Sequence, residues 1–281
     1  MTVLRYRILN VFTQGRARLT GNPLCVVEDG SGLDTPLMQA IARQFNLSET
    51  TFVGPSTRGA AFVRIFTPAY EMAFAGHPTL GTAHVCRALG LGGDSLTLEM
   101  PAGLFPVSAV HDRWTLRAAP ATWREPDESR EELATLLGLA PEDIGERPLW
   151  VKAGREQLIV PVTQESAVRH AKPRAELVCR LVADEGQAMA YLFAMTGPGR
   201  VLSRFFFPNG PALLEDPATG SATANLGGWH LAMGHHLPVS LEISQGEYCG
   251  RPSTLFLGVD EERQIFVSGE VVELGQGTLT L

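Results

Sequence analysis

Two similar segments, one in each half of the chain, constrain the fold more than any other feature of this sequence. Val63–Pro68 reads VRIFTP and Ser203–Pro208 reads SRFFFP. Each leads through a loop of small residues to a predicted helix start, AGHPT at residues 75–79 and ATGSA at residues 218–222. An internal repeat of this kind predicts duplicated lobes, because each copy is one structural unit.

The spacing within the two halves supports the same interpretation. Gly103 follows Gly76 by 27 residues, and Gly246 follows Gly220 by 26 residues. A proline- and acid-rich stretch at 119–130 is the best candidate for a linker. We therefore predict an α+β fold with two pseudo-symmetric lobes, each a strongly bent, mostly antiparallel sheet around a central helix. The predicted lobes are residues 1–118, completed by a C-terminal strand at about 270–281, and residues 119–269.

Hydrophobic periodicity predicts the individual elements. Alternating apolar residues favour strands at 3–13, 22–27, 49–53, 61–66, 95–100, 104–110, 113–118, 188–195 and 201–207, with further strands after the last helix. Helices are predicted at about 35–45, 79–89, 129–138, 165–184 and 221–234. The first of these has Asp34 as its cap and Pro36 in its first turn.

Composition excludes several classes of partner. The formal net charge is −7, and all but two of the 23 basic residues are scattered arginines, so binding to nucleic acid is not expected. The sequence shows neither the apolar core of a signal peptide nor an apolar run long enough to cross a membrane. The cysteines form no CxxC pair, which is typical of reduced thiols in a cytoplasmic protein. They are Cys25, Cys86, Cys179 and Cys249.

The two predicted helix starts are candidate anion sites. A helix N-terminus presents unpaired N–H groups and a partial positive charge, and glycine lets a ligand approach the backbone closely. Proline lacks an N–H group, so Pro78 and Pro217 donate nothing. The expected donors are Gly76, His77 and Thr79 in the first loop and Thr219, Gly220 and Ser221 in the second.

Both loops also contain groups that can carry a proton. His77 lies in the first, while Asp216 and Ser221 lie in the second. Groups of these types beside an anion site suit general acid–base catalysis. Asp216 would equally serve as a helix cap, and His77 as a loop residue bonded to a carbonyl. His230, His235 and His236 are expected at a solvated helix end, and no metal site is predicted because no set of ligands has the required spacing.

Five motifs together resemble the phenazine-biosynthesis PhzF family, in family order from residue 10 to residue 253. They are NPLCVV from Asn22, SETTFV from Ser48, AGHPTLGTA from Ala75, EDPATGSA from Glu215, and SQG from Ser244 leading to GRPS from Gly250. The resemblance implies the diaminopimelate-epimerase fold, an active site in the cleft between the lobes, and a homodimer. It also implies an isomerase that acts on a small carboxylate without a cofactor.

The resemblance assigns catalytic roles to four residues of this chain. Glu49 would transfer the proton, with His77, Asp216 and Ser221 around the substrate. Gly76, Thr79, Thr219, Gly220, Gln245 and Gly246 would bind it. Epimerases of this fold use two cysteines at the helix starts, whereas this chain has Ala75 and Pro217 there. None of its four cysteines is expected beside either loop. Glu49 opens an apolar strand, so partial burial is expected, which would raise its pKa toward neutrality.

Three functions remain open at this point. The first is an isomerase that shifts a proton, and with it a double bond, in a molecule like trans-2,3-dihydro-3-hydroxyanthranilate, as in phenazine biosynthesis. The second is a non-catalytic binding or scaffold protein of the same fold. The third is an epimerase that uses carboxylates instead of thiols.

Overall fold

The structure is a computed structural model that describes residues 2–183 and 186–281. The chain divides into two compact units. Met1–Arg117 together with Ser268–Leu281 form one, called the first lobe below, and Ala118–Val267 form the other, the second lobe. The chain thus leaves the first lobe after Arg117 and returns to it at Ser268.

The first lobe is a mostly antiparallel sheet around one buried helix. Its elements are β1 (Val3–Val11), β2 (Asn22–Val27), α1 (Thr35–Phe45), β3 (Glu49–Gly54), β4 (Ala61–Phe66), β5 (Glu71–Met72), α2 (Gly76–Ala88), β6 (Ser95–Met100), β7 (Gly103–Val110) and β8 (Arg113–Arg117). Helix α2 packs against β1, β2, β3, β4, β6 and β8, so strands surround it. This position explains why nearly every residue from His77 to Cys86 is buried.

The second lobe has its own buried helix. Its elements are β9 (Thr122–Arg124), α3 (Arg130–Leu137), β10 (Leu149–Lys152), β11 (Glu156–Pro161), α4 (Glu165–His170), α5 (Ala175–Val178), β12 (Val182–Ala183), β13 (Gly186–Gln187), β14 (Ala190–Gly197), β15 (Arg200–Asn209), β16 (Ala212–Asp216), α6 (Gly220–Ala232), β17 (Val239–Gln245) and β18 (Ser253–Val259). Strand β19 (Ile265–Thr280) begins here and then pairs with β1 in the first lobe. Helix α6 packs against β9, β10, β11, β17 and β18.

The strands of the two lobes pair in the same order. In the first lobe β2 runs parallel to β3, β3 antiparallel to β4, β4 antiparallel to β5, and β4 parallel to β6. In the second lobe β11, β14, β15, β16 and β17 repeat these pairings with the same directions. The predicted fold class is therefore confirmed, and the repeat seen in the sequence is a repeat of topology.

One ion pair recurs at the same place in each lobe. Arg64 binds Glu71 through two hydrogen bonds of 2.7 and 2.6 Å, and its guanidinium lies over Phe66. Arg204 binds Glu215 through two hydrogen bonds of 3.0 and 2.7 Å, and its guanidinium lies over Phe206. The arginines are the second residues of the two similar segments. In each lobe the ion pair therefore joins the strand formed by that segment to the short strand that follows it, β4 to β5 and β15 to β16.

Most of the predicted helices are present, and their ends lie close to the predicted residues. The Asp34 carboxylate caps α1 by accepting a hydrogen bond from the Leu37 N–H at 2.9 Å, and Ser129 forms a capping box with Glu132 at α3. Gly138 ends α3 in the left-handed conformation, which glycine adopts easily. None of the described helices has the length and apolar composition that crossing a membrane requires.

The predicted long helix at 165–184 is wrong. The described part of this segment holds two short helices, α4 and α5, followed by β12, and Asp184 lies outside the described residues. Pro173 stands between the two helices, and proline disfavours helical geometry in the residue before it. In addition, Arg204 donates to the carbonyls of Val168 and Ala171 at 3.2 and 2.8 Å, so a tertiary partner satisfies the end of α4.

Candidate active site

Glu49 and His77 meet at the start of α2 in the first lobe. Glu49 is the first residue of β3, and its register partner on the parallel strand β2 is Leu24. His77 is the second residue of α2. Glu49 Oε2 lies 3.1 Å from His77 Nε2, and the side chains are only 15% and 8% exposed. The partial burial expected for Glu49 is thus confirmed, and a carboxyl and an imidazole face each other in a dry environment.

The hydrogen bonding of His77 indicates which ring nitrogen carries its proton. The ring bonds the backbone of Pro23, which offers only a carbonyl acceptor. Because Nε2 faces Glu49, Nδ1 is the nitrogen that donates to Pro23. Burial lowers the pKa of His77 to about 3, which outweighs the opposing effect of this hydrogen bond. The imidazole is therefore neutral near pH 7, and its Nε2 lone pair points at Glu49.

The first helix start offers two backbone donors, not three. Helix α2 begins at Gly76, and Thr79 is its fourth residue, so the Thr79 N–H already bonds the Ala75 carbonyl at 3.2 Å. The Thr79 hydroxyl bonds the same carbonyl at 2.7 Å, and the residue is fully buried. Thr79 as a backbone donor to a ligand is therefore a wrong prediction, which leaves the N–H groups of Gly76 and His77.

Asp216 and Thr219 form a fixed cluster with Gln245 in the second lobe. The Thr219 hydroxyl donates to Asp216 Oδ2 at 2.5 Å. Gln245 Nε2 donates to the Asp216 carbonyl and to Thr219 Oγ1, both at 2.9 Å, and its Oε1 accepts from the Thr219 N–H at 3.4 Å. Thr219 is the N-cap residue of α6, so Asp216 is the last residue of β16 and not the helix cap. Because the Thr219 N–H is already bonded, its prediction as a donor to a ligand is also wrong.

Ser221 lies apart from that cluster. It is the second residue of α6, exposed, and its Oγ accepts a hydrogen bond from Gln157 Nε2 at 2.9 Å. Gly220 and Ser221 precede the first N–H group that the helix itself uses, which is that of Thr223. Their N–H groups are therefore in the position of donors at the helix start.

The packing of the second lobe leaves no room for a side chain at position 246, so only glycine fits there. Its φ is +81°, and an added Cβ would lie 2.4 Å from the carbonyl oxygens of both Pro217 and Arg251. Gly76 differs, since a Cβ there would meet no atom of the described structure within 4 Å. A substrate-binding role thus fits the open surroundings of Gly76, whereas Gly246 holds the turn behind Pro217.

Sequence reasoning missed two buried polar residues behind Ser221, namely Gln157 on β11 and Asn225 on α6. Asn225 Nδ2 donates to Gln157 Oε1 at 2.8 Å, and both residues are at most 1% exposed. The sequence held a signal for Asn225, which is a lone amide among the small and apolar residues of its helix, whereas Gln157 follows the charged residues Arg155 and Glu156. Buried amides of this kind need hydrogen-bond partners, which the sequence does not name.

The expectation that no cysteine lies beside either loop is wrong. Cys249 does lie beside the second loop, because its Sγ donates to the Glu215 carbonyl at 3.4 Å. Burial, followed by the nearby carboxylates of Glu215 and Asp216, raises the pKa of Cys249 to about 12. Burial also raises the pKa values of Cys25 and Cys86. All three are therefore thiols near pH 7, and poor nucleophiles.

The expectation of a solvated helix end at His230 is also wrong. His230 is buried, packs edge-on against Trp229, and places its Nδ1 2.6 Å from Nδ1 of His235. Burial, followed by the charge of His235, lowers the pKa of His230 to about 4. Within residues 2–183 and 186–281, no three His, Cys, Asp or Glu side chains are grouped as a metal ion would require.

Comparison with known proteins gives consistent results over the whole chain. The family model of phenazine biosynthesis-like proteins, PhzC-PhzF, matches residues 9–277. An uncharacterised isomerase of Pasteurella multocida is 37% identical over 99% of this chain and 95% of its own length. A trans-2,3-dihydro-3-hydroxyanthranilate isomerase of Pseudomonas chlororaphis is 35% identical over 98% of this chain and 99% of its own. The crystal structure of a PhzF-family phenazine biosynthesis protein from Bacillus anthracis matches with a TM-score of 0.87 and 26% identity, covering both chains completely.

Proposed function

The chain belongs to the PhzC-PhzF family of phenazine biosynthesis-like proteins and is an isomerase, and we propose that Glu49 is the residue that moves the proton. The proposed substrate is a small carboxylate in which a proton shift carries a double bond with it. The Pseudomonas chlororaphis relative is named for trans-2,3-dihydro-3-hydroxyanthranilate, and we assign a molecule of this kind to the present chain.

The observation that carries the proposal is the contact of 3.1 Å between Glu49 Oε2 and His77 Nε2. A neutral imidazole with its proton on Nδ1 is an acceptor at Nε2, so a proton on the Glu49 carboxyl satisfies both atoms at once. The proton in this contact is the one that Glu49 takes from the substrate, and the hydrogen bond to His77 Nε2 holds it until it is returned.

The reaction needs only one group that takes up and returns a proton. Glu49 removes a proton from one carbon, the C–H bonding electrons shift through the adjacent double bond, and Glu49 returns the proton to the carbon at its far end. Atoms and electrons balance within the substrate, so no oxidant or reductant is consumed. We therefore assign the step to acid–base catalysis without a cofactor. His77 orients the carboxyl by accepting a hydrogen bond from it at Nε2.

The helix starts are proposed to bind the negative charge of the substrate. Gly76 and His77 offer N–H groups in the first lobe, and the space beside the Gly76 Cα leaves room for a ligand. Gly220 and Ser221 offer N–H groups in the second lobe, with the Ser221 hydroxyl as an additional donor. Asp216, held by Thr219 and Gln245, is the second carboxylate that we assign to substrate binding, as an acceptor for a substrate N–H or O–H group.

The decisive variant is Glu49→Gln. Glutamine has nearly the shape of glutamate but exchanges no proton at neutral pH, so turnover of trans-2,3-dihydro-3-hydroxyanthranilate should fall by more than about 10³-fold. The reaction is followed in D₂O, where deuterium enters the product to the extent that Glu49 exchanges its proton with the solvent before returning it. His77→Asn is the matched variant, and we expect a loss of about 10²-fold because the base remains but loses its orientation.

Two results would reject this assignment. A Glu49→Gln enzyme that incorporates deuterium at the wild-type rate would exclude Glu49 as the proton carrier, and Asp216→Asn would then be tested next. Exchange of an α-hydrogen in an amino acid, without any shift of a double bond, would instead identify a carboxylate-based epimerase. Binding of the substrate with no turnover at all by the wild-type protein would favour a binding or scaffold protein.

The family resemblance also predicts a homodimer in the cytoplasm, and both remain part of this proposal. Light scattering on the purified protein measures the dimer directly. A mass of about 60 kDa, twice that of the 30.3 kDa chain, is expected.

A further inference from the structure

We propose that Gln157 and Asn225 are positioning residues that make the Ser221 hydroxyl a hydrogen-bond donor toward the substrate anion. The inference rests on the proposed function, in which Ser221 binds that anion. Neither amide contacts the substrate in this proposal, since both are buried in the second lobe behind Ser221. They act through a chain of hydrogen bonds that makes the Ser221 oxygen an acceptor from Gln157, so that the Ser221 proton points away from Gln157.

The chain starts from two backbone groups whose roles are fixed. The Ala153 N–H donates to Asn225 Oδ1 at 2.7 Å, and the Arg155 carbonyl accepts from Asn225 Nδ2 at 3.0 Å. An N–H group only donates and a carbonyl only accepts, so both contacts assign the Asn225 amide the same orientation. The remaining hydrogen on Nδ2 is therefore directed at Gln157.

The orientation of Asn225 determines that of Gln157 in turn. Asn225 Nδ2 donates to Gln157 Oε1 at 2.8 Å, which turns Gln157 Nε2 toward Ser221. Gln157 Nε2 then donates to Ser221 Oγ at 2.9 Å. An amide nitrogen accepts no hydrogen bond, so Ser221 is the acceptor here and its own proton points elsewhere. Ser221 is exposed at the start of α6, so its proton is left to donate to a ligand bound there.

The first lobe places apolar groups at the equivalent positions. Cys25 pairs with Thr50 and Thr50 with Phe66, while Leu158 pairs with Ala190 and Ala190 with Phe206. Phe66 and Phe206 are the matching aromatic residues of the repeat, so Leu24 is the counterpart of Gln157. Gly81 is likewise the counterpart of Asn225, five residues after the helix start, and an added Cβ on Gly81 would lie 2.5 Å from Leu24 Cδ2. The same place thus holds an apolar contact in one lobe and an oriented amide pair in the other.

Gln157→Leu removes the donor to Ser221 and installs the residue that the first lobe uses. Titration calorimetry with 3-hydroxyanthranilate and, separately, with inorganic sulfate measures the anion affinity of the Gln157→Leu, Ser221→Ala and double variants. We expect Gln157→Leu and Ser221→Ala each to weaken binding by about 5- to 30-fold, because a hydrogen bond to a charged group is lost or misdirected. The double variant should be no weaker than Ser221→Ala alone.

This lack of additivity separates positioning from mere support of the fold, because a structural defect would add to the loss of Ser221. Asn225→Asp is the second variant. Its carboxylate accepts from Ala153 but cannot donate to Gln157, which reverses the chain, so a similar loss is expected. In turnover, KM should rise in the Gln157→Leu and Asn225→Asp variants while kcat changes by less than about 3-fold.

Several outcomes would overturn the inference. Independent, additive losses in the double variant would do so, as would wild-type affinity in Gln157→Leu, or a wild-type protein that binds neither probe. Glu49→Gln is the control that keeps the proposed function separate. It should bind both probes like the wild type, so that a failure of catalysis by Glu49 and a failure of the Ser221 chain are seen in different experiments.

Discussion

The two lobes share a frame but differ in what they place at the helix start. Both hold a bidentate Arg–Glu pair between the same strands, and both begin the central helix after a loop of small residues. In the first lobe, His77 faces Glu49 among apolar neighbours. In the second, Ser221 stands at the same helical position and is backed by amides. Duplication therefore preserved the scaffold while the chemistry of each copy changed.

The physical reason for the difference lies in desolvation. Apolar packing around His77 lowers its pKa to about 3, which keeps the ring neutral beside a carboxyl and suits proton transfer. The buried amides of the second lobe are polar but uncharged, so they orient donors without titrating near neutral pH. One copy is thus suited to holding a proton and the other to holding an anion.

The largest expected effect is on stability in acid, where the histidines of the two lobes titrate differently. His77 and His230 have folded pKa values of about 3 and about 4, below their ordinary value of 6.5. Between 6.5 and these values the unfolded chain binds more protons, so stability is complete above pH 6.5 and falls as the pH decreases. At about 1.4 kcal/mol per pH unit, each histidine accounts for a loss of roughly 3 kcal/mol at pH 4 to 4.5.

Urea unfolding between pH 7.5 and pH 5 checks this prediction. His77→Gln and His230→Gln should each reduce the slope of the unfolding free energy against pH, by an amount that corresponds to at most one proton. If only His230→Gln has this effect, then the Glu49 carboxylate stabilises the protonated form of His77. The pKa values of the two histidines would then be set by more than burial.

The repeated Arg–Glu ion pair should contribute more to the free energy of unfolding in the second lobe than in the first. Arg204 is 10% exposed, also donates to the carbonyls of Val168 and Ala171, and stacks against Tyr248. Arg64 is 21% exposed and has Thr35 as its additional partner. Arg204→Met leaves buried acceptors unpaired and should cost about 3 kcal/mol, whereas Arg64→Met should cost about 1 kcal/mol.

The free energies of unfolding of the two variants, measured by urea titration, show which arginine contributes more. Replacing both partners, as in Arg204→Met with Glu215→Leu, should recover part of the loss because no carboxylate is then left buried alone. Equal costs for the two arginines would show that the lobes use the pair equivalently.

Asp216 has a counterpart without charge, since Met72 occupies the equivalent place in β5. We therefore expect the hydrogen bonds that orient Asp216 to matter for activity. Gln245→Glu cannot donate to Thr219 or to the Asp216 carbonyl, and kcat should fall by about 10-fold, close to 1.4 kcal/mol. Gln39→Glu, a change at a glutamine of the first lobe, is the control. Unchanged kcat in Gln245→Glu would show that the orientation of Asp216 does not limit the reaction.

The smallest effect is predicted for the thiols of both lobes. Replacing all four cysteines by alanine should leave turnover within about 3-fold of the wild type, with a stability cost of about 1 kcal/mol at each of the buried Cys25 and Cys86. Single variants locate any larger effect. Loss of activity in Cys249→Ala with the fold intact would contradict an acid–base mechanism without thiols, because Cys249 lies beside Glu215.

Local sequence patterns predicted much of the fold because they act over a few residues. Asp34 caps α1 as expected, the helix predicted at 129–138 is present as α3, and β-branched and aromatic runs form strands such as β3 and β4. The prediction of a long helix at 165–184 is wrong because it gave the apolar periodicity more weight than the helix-breaking Pro173. Strand β16 was missed although it forms a hairpin with β15, because its five residues show no alternation of apolar and polar side chains. The placement of the active site in a cleft between the lobes stays a prediction.

The sequence by itself determined the repeat, the residue types at the two helix starts and the family to which the chain belongs. Only the tertiary structure decided that Glu49 meets His77, that Cys249 reaches Glu215, and that Asn225 bonds Gln157, which lies 68 residues away in the chain. A backbone preference is set by neighbouring residues, so it can be recognised in a short stretch of sequence. The partner of a buried polar group is whichever group the fold places beside it away from water, and that choice depends on the packing of the whole lobe.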